Sequence, residues 1–207
     1  MKRKKFLLGA ILALSVSVLA SCQSGNATSS NSSQTNDASN PTQIKDVKNI
    51  SDFKKAVNQN MNNIYIVNTT AIMTDNNEVV YKNETSVSVT DRETLSGSIS
   101  VNKYTLNKAF KLEKRTTVDT FSNLDVNKLF AYQLNESYFT EYKLENGVLT
   151  GNVKTDSASL FLNDSTLKVT NNPSFSFTLT NNYLSSLSVS YESNGKVVTV
   201  NSSYIYY

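Results

Sequence analysis

Apolar residues recur at every second position through much of this chain, and that pattern limits the fold more than any other feature. Phe175, Phe177 and Leu179 alternate with Ser174, Ser176 and Thr178, and Leu187, Val189 and Tyr191 alternate with Ser186, Ser188 and Ser190. Side chains of a strand point to opposite faces in turn, so period two means a strand with one apolar and one polar face. Val79, Tyr81, Thr85, Val87 and Val89 repeat the pattern against Lys82, Glu84, Ser86, Ser88 and Thr90. Leu95, Ile99 and Val101 stand opposite Ser96, Ser98 and Ser100. Asn146-Gly147 and Asn194-Gly195 are hairpin turn pairs, because both central residues of such a turn need positive φ. Asp75-Asn76-Asn77 and Asn181-Asn182 carry related turn chemistry.

Between these runs lie a few helical signals. Phe53, Ala56, Val57 and Met61 share one face at helical spacing, with Ser51 as N-cap and Asp52 in the first turn, which predicts a helix over Ser51–Met61. Leu124, Lys128, Leu129 and Tyr132 suit a short helix capped by Ser122 or Asn123, and Asp156–Leu162 reads either as a helical turn or as a short strand. Asn107–Thr120 reads as one more strand, and Tyr138, Tyr142 and Leu144 alternate before the Asn146 turn. The expected fold is mainly β, of the α+β class. It is a large curved antiparallel sheet or unclosed barrel, with the N-terminal helix in its concavity and one or two short mid-chain helices.

The first 43 residues are of another kind. Lys2, Arg3, Lys4 and Lys5 precede an apolar run, Phe6–Leu19. Its fourteen residues reach only ~21 Å as a helix, short of the ~30 Å hydrocarbon core of a bilayer. That length fits a signal peptide rather than a spanning segment. Leu19-Ala20-Ser21-Cys22 follows and resembles the lipobox of bacterial lipoproteins. The resemblance implies removal of residues 1–21 and a diacylglyceryl group, with its fatty acyl chains, on the thiol of Cys22. Two acyl chains suffice for stable anchoring. Residues 22–43 contain no aromatic residue and no aliphatic one larger than Ala, so they read as a Ser/Asn-rich tether of a single β-rich domain, 44–207.

Composition narrows the chemistry. There is no His and no Trp, and Cys22 is the only Cys. A Ser-His-Asp triad, a Cys-His pair, a His-ligated metal and an intramolecular disulfide are all excluded. No calcium-loop spacing occurs among the acidic residues, and no spacing favours a two-carboxylate glycosidase. The chain is therefore read as non-catalytic, with no cofactor and no metal. Four of the 20 basic residues lie in the signal segment, leaving 16 basic against 17 acidic, and so balanced a domain has no electrostatic footprint for nucleic acid. Lys111, Lys114 and Arg115 form its one basic cluster, read as a solvated strand end.

The order of elements is similar to the LolA/LolB-type lipoprotein-carrier fold. The likeness rests on the helix Ser51–Met61, the segment NNIYIVNTTAIMTDNNEVVYK, the insertion LDVNKLF and the closing LSSLSVSYESNGKVVTV. It implies an unclosed barrel whose inner face binds acyl chains or lipid-modified partners. On that reading Tyr138, Tyr142, Phe175, Phe177, Leu179, Leu187, Val189 and Tyr191 would line an apolar ligand site; alternatively they are the core under the helix. Two functions follow. One is a membrane-anchored lipoprotein, outside the cytoplasm, that binds a lipid or lipidated ligand. The other is a surface adhesion or envelope-interaction module with a filled core, presenting its Ser/Thr/Asn faces to a protein or glycan.

Overall fold

The computed structural model describes residues 47–207. The expected signal segment, the lipobox expected at Cys22, and the expected tether lie outside the described residues. Nine strands form one antiparallel sheet: β1 Ile64–Asp75, β2 Glu78–Asp91, β3 Ser96–Leu106, β4 Leu112–Phe121, β5 Phe139–Glu145, β6 Val148–Val153, β7 Ser174–Thr180, β8 Tyr183–Ser193 and β9 Lys196–Tyr206. Their order is β4-β3-β2-β1-β9-β8-β7-β6-β5, so the sheet is open, with β4 and β5 at its edges. The expected mainly β, unclosed architecture is what forms.

Four two-residue turns close the hairpins β1–β2, β5–β6, β7–β8 and β8–β9. Asn76-Asn77, Asn146-Gly147, Asn181-Asn182 and Asn194-Gly195 all have positive φ at both positions. Asn tolerates that region through its short polar side chain, and Gly enters it freely.

Helix α1, Ile50–Asn60, starts one residue earlier than the sequence predicts. Asn49, not Ser51, is the N-cap, and its side chain accepts from the Asp52 N–H at 2.9 Å. Moving the cap to Asn49 brings Ile50 into the first turn, where it is buried beside Phe53, Ala56 and Val57. At the other end the Asn60 amide donates to the Asn182 carbonyl at 2.9 Å, fastening the helix to the β7–β8 turn.

The chain must travel from one sheet edge to the other between β4 and β5. Residues 122–138 make that crossing over the face that also carries α1, and they bury Leu124, Val126, Tyr132 and Leu134. The Tyr204 hydroxyl on central β9 donates to the Leu129 carbonyl at 2.8 Å and marks the path. The mid-chain helix is only a 3-10 turn, Val126–Leu129, capped by the Asp125 side chain rather than by Ser122 or Asn123. The Asp156–Leu162 ambiguity resolves as helical: a 3-10 turn, Thr155–Ser157, runs into a short helix α2, Ala158–Phe161.

Two bulges shift the expected faces. In β1–β2 the register moves from Met73↔Tyr81 to Thr74↔Val79, which turns Val79 to the outer face. In β5–β6 it moves between Phe139 and Glu141, so Phe139 joins Tyr142 and Leu144 on the inner face, and Tyr138 lies in the 3-10 turn ahead of the strand. A bulge inserts one residue and reverses alternation beyond it. The reading of Asn107–Thr120 as strand fails over 107–111, which form the turn between β3 and β4.

Several tyrosines are enclosed by this core. Burial pushes the phenols of Tyr132, Tyr191, Tyr204 and Tyr206 well above their ordinary value near 10, and the Asp164 carboxylate adds to the effect at Tyr191. Each phenol thus keeps its proton in the folded state at a pH where the unfolded chain has begun to lose it. Their contribution is complete below about pH 10 and is lost as pH rises beyond it. The chain has no His. Thermal melting followed by circular dichroism should therefore give a midpoint that is flat from about pH 6 to 8 and falls steeply above about pH 10. A midpoint that holds steady to about pH 12 would contradict the neutral, buried state of these phenols.

Candidate functional site

The inner face is built by alternation and then filled by the chain itself. Phe175, Phe177 and Leu179 on β7 stand beside Val189, Leu187 and Leu184 on β8 in register. Phe175, Phe177, Leu179, Leu187, Val189 and Tyr191 are all buried. Six of the eight residues expected to line a ligand site thus come together. Tyr138 is half-buried in its turn, and Tyr142 on edge strand β5 is 42% exposed.

What meets this face is a set of rings from the crossing and from α2. The Phe177 ring lies 5.1 Å from Phe175, and 5.5 Å from both Phe130 and Tyr132. Phe161 of α2 sits 5.4 Å from Phe175 and 5.5 Å from Tyr132, and Phe139 lies 4.9 Å from Phe175. These are the separations of packed aromatic pairs. Phe130, Phe139 and Phe161 have no place in the sequence-derived set. Their signal was too local, since none belongs to an alternating run in which its face could be read. An open groove of about 400 Å³ lies outside this cluster, along Tyr142, Gly151 and Phe175, and a second of about 380 Å³ lies along Val47, Gly147 and Leu179.

The outer face is largely polar, with Ser, Thr and Asn prevailing in its two middle rows and Val118 and Val148 interrupting one of them. Read in register from β4 to β5, one row is Val118, Ser100, Ser86, Asn68, Ser203, Ser186, Thr178, Val148 and Glu145. The next row is Thr116, Asn102, Glu84, Thr70, Asn201, Ser188, Ser176, Thr150 and Lys143. None of these residues is buried. Strands ~4.8 Å apart make each row about 38 Å long, and the rows stand about 7 Å from each other.

The hydrogen bonding of this face is uneven. Toward β4 it is cross-linked: the Thr116 hydroxyl donates to Asn102 at 2.8 Å, Tyr104 donates to Glu84 at 2.9 Å, and Lys82 pairs with Glu84 at 2.6 Å. The Lys82 and Tyr104 side chains hold the Glu84 carboxyl below its ordinary range. Lys82 and Lys114 lie 5.3 and 5.9 Å from the Tyr104 ring, one on each neighbouring strand. In the centre the side chains of Asn68, Ser86, Ser100, Ser186 and Ser203 are not bonded to one another or to other described residues, so their donors and acceptors face solvent.

Among the described residues no three Asp or Glu side chains converge as a metal-binding group would require. No described helix is long and apolar enough to cross a membrane.

No family model matches the chain, and no curated protein matches it. Among solved structures, it is similar to the dehydratase domain from the CurF module of the curacin polyketide synthase, at 10% identity over 68% of this chain and 74% of that one. The TM-score is 0.21, a likeness too slight to carry an argument about either fold or chemistry.

Proposed function

We propose that this protein is a lipid-anchored, non-catalytic envelope module that lays its outer sheet face on a polyhydroxylated polymer, a glycan. The observation that carries the reading is the pair of rows in which Ser, Thr and Asn prevail from β3 to β7, uncharged over β1, β9, β8 and β7 and free of internal hydrogen bonds there. A sugar polymer offers donors and acceptors at short, regular intervals. A rigid array of hydroxyls and amides loses little ordering entropy in meeting it, because the sheet already fixes their spacing. The packed aromatic cluster on the inner face supports this reading over an apolar cargo, which would need those rings displaced.

The anchor belongs to the same proposal through Leu19-Ala20-Ser21-Cys22. The lipid would hold the domain outside the cytoplasm, and the Ser/Asn-rich tether would let the sheet approach the polymer.

Co-sedimentation with insoluble peptidoglycan tests the contact. The wild type should pellet with the glycan, and Ser186→Leu combined with Ser203→Leu should remove most of the retention while leaving the circular dichroism spectrum unchanged. Cys22→Ala should release the protein from membranes in a high-salt wash that leaves the wild type bound, without altering glycan retention. A wild type that stays in the supernatant, or a double variant retained equally well, would overturn the glycan reading; a Cys22→Ala variant that stays with membranes through the high-salt wash, like the wild type, would overturn the anchor.

A further inference from the structure

We infer that the tip of the β3–β4 hairpin is a docking site for an anionic bilayer surface. The inference rests on observations separate from the glycan-facing rows and does not depend on the lipid anchor.

Phe110 stands at this tip and is 84% exposed, the most exposed large apolar side chain described. Its backbone has a positive φ of 58°. That region is unfavourable for a bulky side chain and persists only where the surroundings impose it. Here Asn107 imposes it. Its side-chain oxygen accepts from the N–H groups of Ala109 at 2.8 Å and Lys111 at 3.0 Å. Its backbone N–H donates to the Lys111 carbonyl at 2.8 Å, and its carbonyl accepts from the Phe110 N–H at 3.1 Å. Its amide nitrogen donates to Glu113 at 2.9 Å. One residue thus closes the turn and holds the Phe110 backbone at its tip, with the side chain in solvent.

The surroundings of the ring match a lipid surface in two respects. Leu106 and Leu112 pair at the base of the turn and are both exposed. Val79 and Val197, flanking Thr74, are exposed at the same end of the sheet. Nearly half of the exposed large apolar residues therefore gather at one end. The charge of the hairpin is basic, with Lys103, Lys108, Lys111, Lys114 and Arg115 against Glu113, which the Asn107 amide already engages, and Asp119, far from the tip opposite Ile99. The other acidic groups at that end are Glu78, Glu192 opposite Val197, Asp75 paired to Lys196, and Glu84 held by Lys82 and Tyr104. An aromatic ring flanked by lysines suits the headgroup boundary. The ring enters the acyl region while the ammonium groups stay with lipid phosphates. A protein partner would be met equally well by the apolar groups; the clustering of cations in a domain of balanced charge favours an anionic lipid.

The tip lies at the opposite end of the sheet from Val47, where the described chain begins. About 25 residues separate Cys22 from Val47 and reach about 80 Å when extended, twice the ~37 Å of an eleven-residue strand. A chain anchored at Cys22 has the reach to lay this tip on its own membrane.

The chain contains no Trp, which makes a direct probe available. The full chain carrying Phe110→Trp should show a blue-shifted emission with vesicles of phosphatidylcholine and phosphatidylglycerol at 7:3, and little shift with phosphatidylcholine alone or with inorganic phosphate. Adding Lys108→Glu and Lys111→Glu should weaken vesicle titration of the shift by about tenfold or more. A Trp placed instead at exposed Leu160 should report no insertion. Emission at position 110 that ignores anionic vesicles, that shifts equally with neutral ones, or that is matched at position 160 would overturn the inference.

Discussion

Phe177→Ala should destabilise the domain by about 3–5 kcal/mol, the range for removing a fully enclosed aromatic ring. Phe177 has no exposed surface. Its ring touches partners from three separate parts of the chain: Phe175 on its own strand, Phe130 and Tyr132 from the crossing, and Phe161 from α2. No one of these segments can collapse alone into the space the ring would leave. At about 2–4 °C per kcal/mol for a domain of this size, the melting midpoint should fall by roughly 6–20 °C. Tyr142→Ala, on an exposed edge, should change it by no more than a degree or two. Phe177→Asp should prevent folding, since a carboxylate there would have no partner among the surrounding rings. If Phe177→Ala costs less than about 1 kcal/mol, the inner face is not closed by these rings, and the apolar-ligand reading of the same residues gains ground.

That experiment bears on how the site became legible. Alternation over Ser174–Thr180 and Tyr183–Tyr191 puts Phe177 and Leu187 on one face of their strands, because period two is a property of each strand by itself. The Asn-Asn and Asn-Gly turns are readable for the same local reason, the positive φ their central residues adopt. What covers that face is not readable this way. Phe130, Tyr132 and Phe161 reach Phe177 only because β4 and β5 are opposite edges of one sheet, which forces residues 122–138 across it. The displaced Val79 and Tyr138 have a related cause. A bulge is set by the pairing partner, so a single strand's sequence does not announce where its alternation reverses. The hydroxyl rows were legible strand by strand, but their continuity across the middle strands depends on register, a relation between distant segments. The cap at Asn49 instead of Ser51 is a smaller case: both residue types cap well, and burial of Ile50 decides between them.

Gly97→Ala should be the most costly single-methyl change in the sheet, at least about 3 kcal/mol, the upper end of the overpacking range. Gly97 faces Val89 on β2 and Phe121 on β4. A Cβ there would run into the Ser88 carbonyl oxygen, would lie 2.9 Å from the Ser88 carbonyl carbon, and would stand 3.0 Å from the tip of the Phe121 ring. Two of those three atoms are backbone, so relief requires β2 and β3 to separate rather than a side chain to turn. Gly195→Ala makes the contrast. It has a positive φ of 71° but meets nothing within 4 Å, so only conformational strain opposes it, about 1–2 kcal/mol. The difference matters for β4 in particular. Phe121 is the one buried residue of that strand, and every position from Leu112 to Thr120 is exposed. Within the hairpin that carries Phe110, β4 is thus fastened to the core by one ring resting on one glycine. Chemical denaturation should rank Gly97→Ala well below both Gly195→Ala and the wild type. Hydrogen exchange should show β3 and β4 losing protection before β7 and β8. Equal stability of the two glycine variants, or loss of protection spread evenly over the sheet, would mean that the Gly97–Phe121 contact does not hold the hairpin in place.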